Sequence, residues 1–362
     1  MNKPRLISFY LPQFYPTPEN DEWWGKGFTE WTNVGKAQPL FKGHYQPKVP
    51  TDLGYYDLRI PEVRIEQAKL AADAGIEGFC YWHYWFSGYR LLDRVFEEVL
   101  ETGKPDFPFC LCWANHSWYA KTWKADIADK LLIKQEYPGR EDYINHFYAL
   151  LPAFRDERYI RVDNKPLFAI FAPKDIPNVK EFICLWNELA LKNGLSGIHF
   201  VAFTFFEEDI ELFLKLGFDA VTYDCIKGIF DDRIFFSVCF RKLIKKILGI
   251  PRKYKYEEYT KYLLNHVDFK KKQLYPCVLP NFDHSPRSQK NGLILTNSTP
   301  EKWGELLGNV LMRMTENTKD SRHNILFIKA WNEWGEGNYL EPDLKYGNGF
   351  LNVMRDLMEE YR

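Results

Sequence analysis

A chain of 362 residues with 48 Lys and Arg against 49 Asp and Glu carries a net charge of −1, so no global field draws it to nucleic acid. Hydrophobic residues make up 46% of it, ample for a large core, yet no run approaches the ~18 uninterrupted apolar residues of a membrane span. Aromatic residues are in excess at 17%, with 12 Trp, 22 Tyr and 28 Phe, which fits either an aromatic-rich core or a cleft of flat rings facing the apolar faces of sugars.

The chain opens Met1-Asn-Lys-Pro4 and passes straight into an apolar strand expected over 5–11, without a leader-like segment, so a cytoplasmic protein is expected. Further strands are expected over 76–82, 108–113, 166–171, 198–204, 219–223, 275–280 and 325–331. They are short, nearly continuous apolar runs, as in strands covered on both faces. Helical periods fall between them, over 61–74 with Pro61 at the start and Gly75 after the end, and over 91–102 before Gly103. Others cover 140–154, 179–192 before Gly194, and 300–314 behind the N-capping pair Ser298-Thr299. Eight strands alternating with helices predict an α/β fold, a (β/α)8 TIM-type barrel forming a single catalytic domain over 1–362. A doubly wound open sheet is the competing architecture, but the first strand is followed by no glycine-rich phosphate loop.

Residues 226–272, between the sixth and seventh strands, are too long for a simple βα unit and read as a basic helical insertion. They carry Arg241, Lys242, Lys245, Lys246, Arg252, Lys253 and Lys255 and close on Lys270-Lys271-Lys272. Over 235–248 apolar and basic residues alternate at near-helical spacing. This segment is either a solvated helix on the barrel or a surface for a lipid-linked glycan, an acidic glycan or the inner membrane face. The seven cysteines (80, 110, 112, 184, 225, 239 and 277) are odd in number, lack zinc-type spacing and lie mostly in apolar runs, as free thiols of a reducing compartment do.

Barrel active sites lie at the C-terminal ends of the strands. Those ends read Trp82-His83-Tyr84-Trp85, Trp113-Ala-Asn115-His116-Ser-Trp118, Asn281-Phe-Asp283-His284 and Trp331-Asn332-Glu333-Trp334-Gly335-Glu336. This makes His83, Trp85, Trp113, Asn115, His116, Trp118, Asp283, Trp331, Asn332 and Trp334 candidates for holding sugar hydroxyls or stacking on sugar rings. Glycosyl transfer through an oxocarbenium-like transition state needs two carboxyl groups. Glu333 and Glu336, three apart with Gly335 between and Gly337 after them, can be turned into one pocket. Aromatic walls and a neighbouring negative charge would raise one pKa, as a general acid requires. The bland alternative is that both glutamates cap the next helix and face water. His83, His116, Asp224 and Asp283 could in principle ligate a metal, but no HxH or HExxH pattern occurs, so neither metal nor cofactor is expected.

Longer motifs carry a family resemblance almost end to end. They are Phe9-Tyr-Leu-Pro-Gln-Phe14, Gly27-Phe-Thr-Glu-Trp-Thr-Asn33, Gly43-His-Tyr-Gln-Pro47, Tyr81-Trp-His-Tyr-Trp-Phe86, the run from Lys104 to Asn115, Ile328-Lys-Ala-Trp-Asn-Glu-Trp-Gly-Glu-Gly337 and Leu340-Glu-Pro-Asp343. The chain resembles glycoside hydrolase family 99-like proteins of bacterial polysaccharide and O-antigen (lipopolysaccharide) clusters, often labelled glycosyltransferases. The resemblance implies a (β/α)8 barrel related to retaining endo-acting α-mannosidases and α-mannanases. In these, one glutamate deprotonates the sugar 2-hydroxyl, which attacks C1 to give a 1,2-anhydro sugar, and a second serves as acid and then base. By resemblance Glu333 is the carboxylate on the 2-hydroxyl and Glu336 the acid/base, with Tyr45 and His83 as substrate contacts. Two departures stand at strand ends: His116 replaces an acidic residue of the usual Trp-Ala-Asn-Glu-Asn-Trp, and Phe282-Asp-His-Ser-Pro-Arg287 replaces Trp-Asp-Asn-Thr-Pro-Arg. Both bear on sugar identity more than on reaction class. The expected activity is thus a retaining glycosidase or transglycosylase on α-linked, mannose-like glycans, with a glycosyltransferase and a non-catalytic glycan-binding protein as alternatives.

Overall fold

The computed structural model describes residues 3–120, 129–231, 251–317 and 320–361. Eight parallel strands close into a barrel: β1 (Arg5–Tyr10), β2 (Gly78–Phe86), β3 (Phe109–Trp113), β4 (Lys165–Ile170), β5 (His199–Thr204), β6 (Ala220–Asp224), β7 (Leu274–Val278) and β8 (Ile325–Ile328). Each pairs with the next, and β1 pairs with both β2 and β8, so the sheet has no free edge. All eight expected strands are present within a few residues. The largest difference is β2, which runs on through His83 to Phe86 and pairs antiparallel with Tyr89–Leu91. That pairing takes up the start of the helix expected from 91, which begins instead at Arg94.

Strand pleat divides the core in two, because alternate side chains point to opposite faces. On the inner face Phe9 stacks on Trp82 (centroids 4.7 Å apart) and on Phe327 (5.3 Å), and meets Phe203 edge-on (5.9 Å) across the barrel. Cys80, Cys110, Cys112 and Cys277 fill the inner layer beneath as fully buried thiols. On the outer face His83, Trp85 and Trp113 pack against His146 of the helix Arg140–Arg155. Trp186, from the helix Val179–Lys192, closes that layer.

Between β6 and β7 the described residues form a short helix, Ile226–Asp231, a strand, Arg252–Lys255, parallel to Leu293–Thr296, and a helix, Tyr256–His266. The last buries Tyr256, Tyr259 and Leu263, and because of the strand Arg252–Lys255 the 226–272 segment is not helical throughout. The mixed run 235–248 lies outside the described residues, as do Arg241, Lys242, Lys245 and Lys246. Among the described residues no helix is long and apolar enough to cross a membrane.

Candidate active site

A cleft of about 600 Å³ opens at the C-terminal end of the barrel. Inward-facing positions of the strands and their extensions form its base, with Leu11 and Gln13 after β1, Trp82 and Tyr84 on β2, and Lys329 after β8. Loops raise its walls through Trp24, Phe28, Glu30, His116, Trp118, Tyr119, His284 and Arg287. Glu333 and Glu336 sit together in one wall.

Arg287 organises that wall. It donates through Nη1 to Glu336 Oε1 (2.6 Å), through Nη2 to Glu333 Oε2 (3.2 Å) and through Nε to Glu30 Oε1 (2.8 Å). A planar guanidinium with donors in a fixed fork suits three carboxylates in a way a lysine could not. Trp82 Nε1 donates to the other oxygen of Glu333 (2.9 Å), and Lys329 Nζ lies 3.9 Å from Glu336 Oε2. The Glu333 side chain is 7% exposed and that of Glu336 18%. This difference, with the uneven cations, splits the pair. Burial first, then the charge of Glu336, pushes Glu333 up to about 7. Burial also raises Glu336, but Arg287, Lys329 and His284 outweigh it and hold that carboxyl down at about 2. Burial and the charge of Glu336 thus favour the protonated form of Glu333, while the surrounding cations favour the ionised form of Glu336.

The turn carrying both glutamates depends on two glycines. A Cβ on Gly335 would fall 1.5 Å from Glu30 Oε1, so the carboxylate bound by Arg287 occupies the space a side chain would need. Gly337 is left-handed (φ +52°), and a Cβ there would meet the Cβ of Asp283 at 2.7 Å. Gly335→Ala is accordingly expected to displace Glu30 from Arg287 and to lower activity at least about 10-fold. The strain belongs to the range of about 1–3 kcal/mol for overpacking, measurable as a fall in urea midpoint.

Of the residues singled out from sequence, Glu333, Glu336, His116 and Trp118 line the cleft. The others stand behind it. His83 points outward, its Nε2 2.8 Å from that of His146, and Trp85 Nε1 donates to Asp142. Trp113 is fully buried and donates to the Trp85 carbonyl. Asn115 ties the loops after β3 and β4 together through both backbone groups of Ala172. Asn332 does the same for Leu11, and Trp331 is wholly buried against Phe79. Trp334 is also wholly buried and donates to Glu341, which further accepts from Tyr56 and Gln67. Tyr45 lies half-buried under Lys345. For His83, Trp85 and Trp113 the reason is strand parity, one residue out of phase with Trp82 and Tyr84. For Asn115, Asn332 and Trp334 it is that buried polar groups here hold loops in place.

Asp283 is likewise a staple. It accepts from His44 Nε2 (2.8 Å), Gln46 Nε2 (2.7 Å) and the Ser285 amide (3.0 Å), fastening the Gly43–Pro47 motif beside the turn that carries Glu333 and Glu336. Burial opposes its ionisation, but the His44 bond, the nearby Lys48 charge and Ser285 outweigh it and hold Asp283 down at about 2. A depressed carboxylate stabilises the fold above its unfolded pKa, and that stability is lost as pH falls through the folded value. Asp283→Asn should therefore be less stable than wild type by about 2 kcal/mol at pH 7, the gap closing between about pH 4 and 2. Urea midpoints across that range test it.

Glu30, Arg287, Lys329, Trp82 and Tyr84 were not singled out as site residues. Each carried a signal: Trp82 and Tyr84 stand in the quoted Tyr81–Phe86 motif. Glu30 lies within the quoted Gly27–Asn33 motif, Arg287 ends the 282–287 motif, and Lys329 is a lone charge in the apolar run 325–331. Among the described residues no group of His, Cys, Asp and Glu could hold a metal ion.

Comparison with known proteins places this geometry in context. A family model described as Glycosyltransferase WbsX matches residues 6–354. Proteins called "Uncharacterized protein WxcX" from two strains of Xanthomonas campestris pv. campestris are each 35% identical over 375 residues. The alignment takes in 98% of this chain and 49% of theirs, so the chain spans about half the length of these curated relatives. The GH99 endo-α-mannosidase of Bacteroides thetaiotaomicron superimposes with a TM-score of 0.59 at 15% identity, over 99% of this chain and 97% of that one. Its complex with bis-tris-propane gives 0.58 at 16%, with the same coverage. At such identities the likeness speaks for the barrel fold.

Proposed function

Since the chain belongs to the WbsX glycosyltransferase family, we propose that it is a carbohydrate-active enzyme, a retaining glycosidase or transglycosylase on α-linked, mannose-like glycans of surface polysaccharide. The observation that carries this is the Glu333/Glu336 pair, bridged by Arg287 in an aromatic cleft at the catalytic end of the barrel. One carboxyl that holds a proton near neutrality beside one that stays ionised is what acid and base roles require. By the family resemblance, Glu333 takes the 2-hydroxyl proton as that oxygen attacks C1, and Glu336 protonates the departing oxygen. Glu336 then activates the water or sugar hydroxyl that opens the 1,2-anhydro ring. Trp118, flanked edge-on by Tyr84 (5.0 Å), supplies an apolar wall for a sugar ring.

The charge pattern of the empty cleft favours a second assignment with the roles exchanged, Glu333 as acid and Glu336 as base. The family's description favours transfer to a sugar acceptor over hydrolysis; both follow from the same chemistry, differing in what opens the intermediate. Incubation with α-linked mannooligosaccharides, followed by NMR of the anomeric protons, is expected to show cleavage or transfer with retained α configuration. Binding of a nucleotide sugar without any glycan cleavage would instead establish a donor-dependent transferase.

A further inference from the structure

The base of the cleft carries a lysine that the reaction outlined above leaves without a task. Lys329 follows β8 in phase with the inward Phe327, which brings its side chain up the barrel interior into the cleft lining. Its Nζ lies 3.6 Å from Asp224 Oδ2 and 3.9 Å from Glu336 Oε2, with the Phe205 ring centroid at 5.4 Å and the side chain 10% exposed. Neither carboxylate distance is a hydrogen bond, and an ammonium offers three donors. Asp224 is wholly buried, and its Oδ2 has no hydrogen-bond partner among the described residues. Arg287 differs: each of its three nitrogens already donates to a carboxylate. Lys329 therefore retains donors for an incoming group, and Asp224 beside it retains an acceptor.

Charge narrows what that group can be. Asp224, Glu30, Glu333 and Glu336 stand around two full cations, Arg287 and Lys329. A carboxylate or phosphate on the sugar would crowd these carboxyl groups with a further negative charge, whereas a hydroxyl can accept from Lys329 and donate to Asp224 or Glu336.

We propose that Lys329 is a further substrate-binding residue, its ammonium, backed by Asp224, donating to a ring hydroxyl of a neutral sugar seated beside Glu336. The same ammonium helps hold Glu336 as the anionic member of the pair while the cleft is empty. Engaging the sugar shares that ammonium between the hydroxyl and Glu336, while Arg287 keeps its hydrogen bond to the same carboxylate. The groups facing Lys329 and the carboxylate pair are Asp224 from β6, Cys277 from β7, His284 and Arg287 from the segment beyond β7, Glu333 from the turn after β8, and Glu30. Lys227 lies against the same Phe205 ring, 4.0 Å from its centroid. The carboxylates Glu336, Asp224 and Glu333 keep Lys329 protonated against the opposing effect of burial.

The sugar half of this proposal rests on the glycan reading of the cleft; the charge half does not. The test is carbon-13 NMR titration of labelled glutamate carboxyls, together with calorimetric binding of α-linked mannobiose, in wild type, Lys329→Met and Lys329→Gln. Lys329→Met should raise the titration of Glu336 by about one unit or more and weaken mannobiose by about 10- to 100-fold. Lys329→Gln should recover part of the affinity without restoring the titration. Should burying Asp224 unpaired prevent Lys329→Met from folding, the double variant Asp224→Asn/Lys329→Met keeps the base of the cleft neutral and is read in the same way. A Glu336 titration and a mannobiose affinity both unchanged in a folded Met variant overturn the proposal. Wild type that binds no mannobiose overturns the ligand class named here, and the titration still decides the role of Lys329 toward Glu336.

Discussion

Arg287→Met is expected to reduce stability by about 3–5 kcal/mol at neutral pH and to abolish most catalysis, because it leaves buried carboxylates without their shared cation. Glu30, Glu333 and Glu336 converge on this one guanidinium, and the Glu30 side chain is only 2% exposed. Without Arg287 the carboxyls must ionise beside one another in a low-dielectric corner, so their folded pKa values rise above the unfolded ones. Groups raised in this way favour the fold below the unfolded pKa and lose that contribution as pH climbs through the folded value. The deficit of the variant should thus shrink from pH 8 to pH 5, as read from urea unfolding at both. A deficit independent of pH would mean that Arg287 acts by packing alone. Lysine should not rescue the variant, since it cannot reach three carboxylates with fixed donors.

Glu336→Gln and Glu333→Gln are each expected to lower kcat/KM on an unactivated α-linked glycan by about 10³-fold, within the usual range for a positioned acid or base. Their behaviour toward leaving groups should differ. Under the assignment from resemblance, Glu336→Gln recovers most of its activity on a dinitrophenyl glycoside, which departs without a proton, whereas Glu333→Gln stays impaired on every substrate. The exchanged assignment, favoured by a raised Glu333 and a lowered Glu336, reverses that outcome. The pH profile of the wild type belongs to the pair rather than to either residue, so the variants discriminate where the profile does not.

The barrel was legible because near-continuous apolar strands separated by capped helices leave few other ways to cover both faces of a sheet. The helix Val179–Lys192 matches its expected bounds, and β2 exceeds them because His83–Phe86 stays paired beyond the barrel proper. The carboxylate pair was legible too, at the end of the eighth strand, and both glutamates line the cleft. Phase within each strand end decides which side chains enter: His83 and Trp85 point outward to His146 and Asp142, while Trp82 and Tyr84, one position away, line the cleft. The two-residue period counted from Phe9, Cys80 and Phe327 separates the two sets. Glu30 and Arg287 were harder to reach, because 257 positions divide them and only folding brings their charges to 2.8 Å. Asn115, Asp283 and Asn332 illustrate a different difficulty. The polar side chains that suit sugar hydroxyls equally suit unpaired backbone groups in buried loops.

Both acid/base assignments require that Glu333 and Glu336 flank the reacting sugar. A crystal soak with an α-mannose-configured iminosugar measures this most directly. The ring is expected in the cleft between Trp118 and the carboxylate pair, with Glu333 and Glu336 both within hydrogen-bond distance and Lys329 donating to a ring hydroxyl. Density for the ring elsewhere, as in the cavity by Arg5 and Arg161 at the opposite end of the barrel, with this cleft empty, would contradict it.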